Sequence, residues 1–212
     1  MLDLLFADNN IVVCIKPSGV LSQDAGEESM PGLLKRQLSV KEVYTIHRLD
    51  REVGGVMVYA LNAKAAASLN RAVQERKLEK QYLAVLRGVP EKPADTLKDL
   101  LYHDKIRNKT YVVQRVRKGV KDAVLDYEVL TSAENKTLVR VNLHTGRTHQ
   151  IRVQFASRKL PLVGDGKYGG KEPGLPLCLW SAQLSFPHPV TKNTMTFAKD
   201  PVWLEDCEEW FT

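Results

Sequence analysis

The strongest constraint on the fold of this chain is the grouping of its apolar residues. They fall mainly in short β-branched or alternating runs separated by turn residues, with one longer stretch at helical spacing. Ile11–Ile15 is such a run, ended by Lys16-Pro17-Ser18-Gly19, and reads as a strand followed by a turn. Tyr44–Asp50, a turn holding Gly54 and Gly55, and the apolar run Val56–Leu61 read as strand, turn, strand. Leu78–Leu86 is a further strand, with Tyr82, Ala84 and Leu86 on one face and Leu83 and Val85 on the other. Tyr102–Lys121, Leu125–Leu130 and Thr137–Leu143 continue the pattern. The clear helix runs from Ala63 to about Lys77 behind Asn62 as N-cap, with Ala65, Leu69, Ala72 and Val73 facing a core. Shorter helices are expected around Pro31, with Leu33, Leu34 and Leu38 on one face, and from a Thr148 cap to about Arg158. Prolines near Pro161, Pro173–Pro176 and Pro187–Pro189 break the remainder into loops and short strands. Many strands with few helices predict an α+β fold on a mostly antiparallel sheet.

The 212 residues show no internal repeat or linker, so a single domain over 1–212 is expected. No stretch approaches the roughly 20 apolar residues of a membrane span. The N-terminal Asp3 and Asp8 stand where a secretory signal would be basic, which points to the cytoplasm. Cys14, Cys178 and Cys207 are scattered and form no Cys-x-x-Cys pair, so they read as buried or inert thiols. His47, His103, His144, His149 and His188 lack metal-ligand spacing, and no metal is expected. Gly164-Asp165-Gly166-Lys167-Tyr168-Gly169 is glycine-rich without Walker or Rossmann spacing, so no nucleotide cofactor is expected either. The 31 Lys plus Arg exceed the 25 Asp plus Glu by six, an excess that suits a polyanionic partner.

Two clusters could carry chemistry. In His47-Arg48-Leu49-Asp50-Arg51-Glu52, an extended backbone would place Arg48 and Asp50 on one face and His47 and Leu49 on the other. A carboxylate flanked by Arg48 and Arg51 would stay ionised and could act as a nucleophile. On these six residues alone, an aspartate capping its own turn is the favoured reading. In Thr145-Gly146-Arg147-Thr148-His149-Gln150-Ile151-Arg152, three basic side chains crowd a helix start that already favours anions. An arginine pairing with a buried carboxylate and a phosphate-contacting surface stand level there. Lys105, Arg107 and Lys109, then Arg115 and Arg117, would each line one strand face, as an RNA-contacting series or a solvated one.

Taken together, these segments resemble the RluA-type RNA pseudouridine synthases. His47-Arg48-Leu49-Asp50 with a following glycine turn looks like that family's catalytic motif, and Lys80-Gln81-Tyr82-Leu83-Ala84 like its tyrosine motif. Thr145–Val153 matches its arginine motif almost residue for residue. Gly164-Asp165 with Tyr168-Gly169, Phe186-Pro187-His188-Pro189, and the opening Asp8-Asn9 through Gly19 follow in order, so the likeness runs from about Leu5 to Trp203. Two departures are Val53-Gly54, where the family usually has Thr-Ser, and Gln154, where it usually has histidine. The first removes two hydroxyls after Asp50, and the second is expected to alter RNA contacts.

The resemblance implies a pseudouridine synthase fold with a central catalytic cleft, as a single stand-alone catalytic domain with no appended N-terminal RNA-binding domain. It implies isomerisation of uridine to pseudouridine in ribosomal or transfer RNA, without cofactor or metal. Asp50 would act at the ribose, Arg152 (or Arg147 in its place) would keep Asp50 ionised, and Tyr82 would lie against the flipped-out base. Arg48, Arg147, His149, Gln150, Lys105 and Arg107 are the candidate RNA contacts. The expected partner is a structured RNA stem-loop, bound by a monomer. The competing readings are a non-catalytic RNA-binding protein or RNA chaperone on the same scaffold, and a glycosidase or nuclease pairing Asp50 with Asp165.

Overall fold

A computed structural model describes residues 1–208. In chain order the elements are β1 (Leu4–Ala7), β2 (Ile11–Lys16), α1 (Met30–Leu38), β3 (Tyr44–Thr45), β4 (Gly54–Ala60), α2 (Ala63–Gln74) and β5 (Glu79–Arg87). Then come β6 (Ala94–Asp104), β7 (Lys109–Val113), β8 (Val120–Ala133), β9 (Lys136–Leu143), α3 (Gln150–Ala156), β10 (Leu179–Pro187), β11 (Thr194–Ala198) and α4 (Trp203–Glu208). The chain forms two compact units: residues 1–80 with 180–201, and residues 81–179 with 202–208.

In the first unit the strand order is β1-β2-β4-β10, with β11 on β10 and β3 on β4. Every pair is antiparallel except β4 with β10, which is parallel. Every residue of β4 is buried, which explains its unbroken apolar run: a strand covered on both faces has no polar side to present. The α2 helix lays Ala65, Ala66 and Leu69 against Ile11, Val13, Val56, Val58 and Phe186. It starts as its sequence predicts, the Asn62 side chain accepting from Ala65 N at 2.9 Å. It stops at Gln74, earlier than the expected Lys77, because Arg76 turns to a left-handed φ of 58°.

The second unit is an antiparallel meander, β5-β9-β8-β6-β7, with α3 buried along most of its length. Val85, Leu138, Val163 and Cys178 form one core cluster, and Leu101, Ala123 and Val153 another. The structure departs from two expectations in this unit. Lys105–Asn108 is the turn of the β6–β7 hairpin, and Arg115 and Arg117 lie in the loop before β8, so the basic series does not line a strand face. Asp104 drives that turn, its Oδ1 accepting from Ile106 N and Arg107 N at 2.9 and 3.0 Å. The arginine-motif helix begins at Gln150 with His149, not Thr148, at its cap, and ends at Ala156.

Cys14 and Cys178 are both buried, and burial pushes the Cys14 thiol up to about 12. The Cys207 side chain lies outside the described residues. Among the described residues no helix is long and apolar enough to cross a membrane.

Candidate active site

Asp50 sits in the first unit on a loop, not at the end of a strand. The expected strand Tyr44–Asp50 pairs only through Tyr44 and Thr45, and residues 46–50 leave the sheet. The expected alternation of faces nevertheless survives: His47 and Leu49 are buried, Arg48 is exposed and Asp50 partly so. Backbone groups that leave a ladder need other partners, and here they come from Lys16–Ser22. Ser22 Oγ donates to Leu49 O at 2.9 Å and accepts from Leu49 N at 3.3 Å. Beyond Asp50, Gly19 N donates to Arg51 O at 2.8 Å, Arg51 Nε returns to Gly19 O at 2.9 Å, and Ser18 Oγ donates to Glu52 O at 2.7 Å. The turn closes with Val53 N on Asp50 O at 3.1 Å. Asp50 is therefore gripped on both sides by one neighbouring segment.

Lys16 lies beneath that grip, fully buried. Its ammonium donates to the carbonyls of Pro17, Val20 and Arg51 at 2.9, 2.6 and 3.1 Å. Burial pushes the Lys16 pKa down to about 8, against the pull of the Asp50 and Glu52 charges. Lys16 and Ser22 were missed as site residues, since a lysine ending a strand ordinarily reads as surface. The arginines beside Asp50 behave differently from expectation. Arg51 turns its Nε to Gly19 O, and Arg48 Nη1 donates to Gln23 Oε1 at 3.1 Å.

His47, 7% exposed, accepts from Val58 N through Nε2 at 3.2 Å, which makes Nδ1 the protonated nitrogen. That Nδ1 has no hydrogen-bond partner among the described residues, and burial pushes the His47 pKa down to about 3. The unfolded chain takes up this proton near pH 6.5, whereas the folded one resists until about 3. Stability is therefore complete above pH 6.5 and falls on acidification, by up to about 1.4 kcal/mol per pH unit within that window. His47→Gln, which can still accept from Val58 N, is expected to flatten the slope. Urea midpoints compared at pH 7 and pH 5 measure it, and equal slopes in the two proteins would contradict this origin.

Gly54 has a structural reason. A Cβ on Gly54 would lie 2.4 Å from Cζ3 of Trp180, its parallel neighbour on β10, and 3.0 Å from Lys16 O. At Gly55, φ is 125° and a Cβ would meet Ser181 O at 2.3 Å. The turn after Asp50 thus exchanges a hydroxyl residue for an indole packed on bare backbone. Gly54→Ser is expected to cost about 1–3 kcal/mol by overpacking. In a Trp180→Ala background the same substitution should cost much less, as read from paired melting curves.

In the second unit, Arg152 and Asp165 form a buried pair, 3% and 1% exposed. Arg152 Nε lies 2.7 Å from Asp165 Oδ2 and Nη2 lies 2.8 Å from Oδ1. Asp165 Oδ1 also accepts from Lys167 N and Tyr168 N at 3.0 and 3.2 Å, so this glycine-rich loop is built around the carboxylate. Tyr82 is buried on β5 opposite Val141 of β9. Arg147, partly exposed, donates through Nε to Asp122 O at 2.8 Å.

Three candidate RNA residues are placed differently from expectation. Gln150 is buried, its Oε1 accepting from Thr145 Oγ1 and Arg147 N at 2.8 and 3.0 Å and its Nε2 donating to Val124 O at 3.1 Å. It braces the turn before α3, and an RNA contact would have to break those bonds. His149 is buried, with Nδ1 2.9 Å from the Tyr168 hydroxyl. Gln154, expected to alter RNA contacts, is fully buried and donates to Asp99 Oδ2 at 2.7 Å. Lys105 and Arg107 are exposed at the hairpin tip.

Comparison with known proteins agrees with this architecture. The RNA pseudouridylate synthase family profile matches residues 10–157. The dual-specificity RNA pseudouridine synthase RluA of Escherichia coli is 35% identical, the match covering 92% of this chain and 90% of RluA. An uncharacterized RNA pseudouridine synthase of Aquifex aeolicus is 33% identical over 99% of this chain and 72% of its own length. Among solved structures, human RNA pseudouridylate synthase domain containing 4 superposes with a TM-score of 0.81 at 25% identity, covering 97% of this chain and 92% of the other. The chain therefore belongs to the RNA pseudouridylate synthase family and is an RNA-modifying isomerase.

Proposed function

We propose that Asp50 is the carboxylate that acts at the ribose of a uridine flipped out of a structured stem-loop in ribosomal or transfer RNA. The observation that carries this is the two-sided grip on the Asp50 loop. It fixes a partly exposed carboxylate in place before substrate arrives, as catalysis by a charged group requires. In the reaction the bond from ribose C1′ to N1 breaks, a bond from C1′ to C5 forms, C5 loses its proton and N1 gains one. Mass is unchanged, and no redox partner enters.

Arg152 is assigned the role of partner to Asp50 in the reaction, and Tyr82 the face of the target base. Support on the arginine side is its pre-set geometry, with the guanidinium plane fixed by two bonds to Asp165. Flipping costs about a few kcal/mol, offset by stacking and edge contacts, and exposed Arg48 would fill the space left behind. Lys105, Arg107 and Arg147 are assigned to phosphates, so affinity should fall steeply with salt. The enzyme is proposed to work as a monomer in the cytoplasm.

The reading with Asp165 as a second catalytic carboxylate meets a group that is buried and saturated by Arg152 and two backbone N–H groups. Val53-Gly54 and Gln154 are the features that favour the non-catalytic reading, and of these Gln154 and Gly54 have internal partners that account for them. Carbodiimide mapping of rRNA and tRNA incubated with the protein tests the proposal. Mass-neutral conversion at discrete uridines is expected; bound but unmodified RNA would favour the chaperone, and free uracil or cleaved RNA the hydrolase.

A further inference from the structure

The β6–β7 hairpin presents Lys105, Ile106 and Arg107 at its tip, with Ile106 99% exposed. Its outer strand, β7, ends the sheet order of the second unit and pairs with β6 alone. Edge N–H groups of this kind have no ladder partner and need another acceptor. For Thr110 that acceptor is Tyr168: Thr110 N donates to the Tyr168 hydroxyl at 2.8 Å. The same hydroxyl lies 2.9 Å from His149 Nδ1, at the cap of α3. The Tyr168 ring packs edge-on against His149, and the Lys109 ammonium and Arg152 guanidinium lie 5.2 and 5.4 Å from its centre. Two further bonds run alongside. Thr110 Oγ1 donates to Thr148 O at 2.8 Å, and Lys167 Nζ donates to Asn108 O at 2.9 Å, just beside the tip.

We propose that Tyr168 is a positioning residue whose phenol latches the β6–β7 hairpin to the head of α3, setting the basic tip at a fixed place relative to Arg152. This rests on the assignment of Lys105 and Arg107 to RNA. Tyr168 is itself fixed from behind, since its backbone N–H donates to Asp165, the partner of Arg152. The hairpin and the arginine helix are thus referred to one common anchor. An RNA engaged at the tip would be delivered in register with the helix, which is worth affinity without any contact from Tyr168.

The test is Tyr168→Phe in the full chain, which keeps the ring and its packing but removes the hydroxyl. Amide exchange at Thr110 and residues 105–109 should quicken about tenfold as the edge N–H loses its acceptor. KM for a modified RNA should rise about tenfold, with kcat changed less than about twofold. In a Lys105→Ala/Arg107→Ala background the added effect of Tyr168→Phe on KM should shrink below about twofold, since the latch then has nothing to deliver. Unchanged exchange, or a loss confined to kcat, would overturn the latch. Quickened exchange alongside unaltered RNA affinity in the Lys105→Ala/Arg107→Ala protein would instead overturn the RNA assignment of the tip and leave the latch standing.

Discussion

Asp50→Ala is expected to abolish pseudouridine formation, by about 10⁴-fold or more, while RNA affinity and folding remain close to those of the parent. The separation follows from where the bonds lie. The grip on residues 47–53 runs through backbone groups and through Lys16, Ser18, Ser22 and Arg51. Asp50→Ala therefore leaves these bonds in place while removing the group assigned to the chemistry. RNA affinity is expected to come from phosphate contacts by the cations assigned to it. Single-turnover conversion under saturating RNA, with filter binding on the same preparation, measures both sides. Turnover near the parental rate would remove Asp50 from the reaction.

The second large effect concerns Arg152, whose substitution should act on stability and activity together. Arg152→Ala leaves the Asp165 carboxylate buried with two of its charge-assisted bonds gone, and Asp165→Ala takes the same two bonds from the guanidinium. Breaking one side of a buried pair costs about 3–5 kcal/mol, a fall of about 10 °C in Tm for a chain of this size. The proposed pairing with Asp50 predicts a further loss that stability cannot explain. Replacing both partners, Arg152→Met with Asp165→Asn, should recover much of the stability, because no charge stays buried unpaired and the amide oxygen can still accept from Lys167 N and Tyr168 N. Activity should stay lost in that double variant. Recovery of turnover along with Tm would reduce Arg152 to a structural role.

Much of the architecture was legible from residue order alone. The Asn62 cap, the α2 face of Ala65, Leu69 and Ala72, and the β5 run follow from local periodicity and side-chain hydrogen bonding, which act within a few residues. The burial alternation of His47, Arg48, Leu49 and Asp50 was legible as well, although the strand expected to produce it is absent. In place of a ladder, the Ser22 hydroxyl takes the backbone bonds at Leu49 from 27 residues away. No window around the motif contains that information. The basic run Lys105–Arg117 misled for a related reason: alternation suggested a strand, but Asp104 and its capping of two N–H groups turned the chain at Lys105.

Sequence by itself determined the fold class, the family and the short list of reactive side chains, because motif order and apolar periodicity are properties of the chain. Only the tertiary structure decided which polar side chains are partners. Gln150 and Gln154 have the composition of RNA contacts and the burial of internal braces. Lys16 has the composition of a surface residue and holds three carbonyls beneath the Asp50 loop. Arg152 and Asp165, thirteen residues apart, become one buried ion pair only when the loop after α3 folds back. Burying a charge is costly unless a partner of opposite sign and matching geometry arrives with it. That arrival depends on packing between segments distant along the chain, so a linear pattern can nominate such residues but cannot pair them.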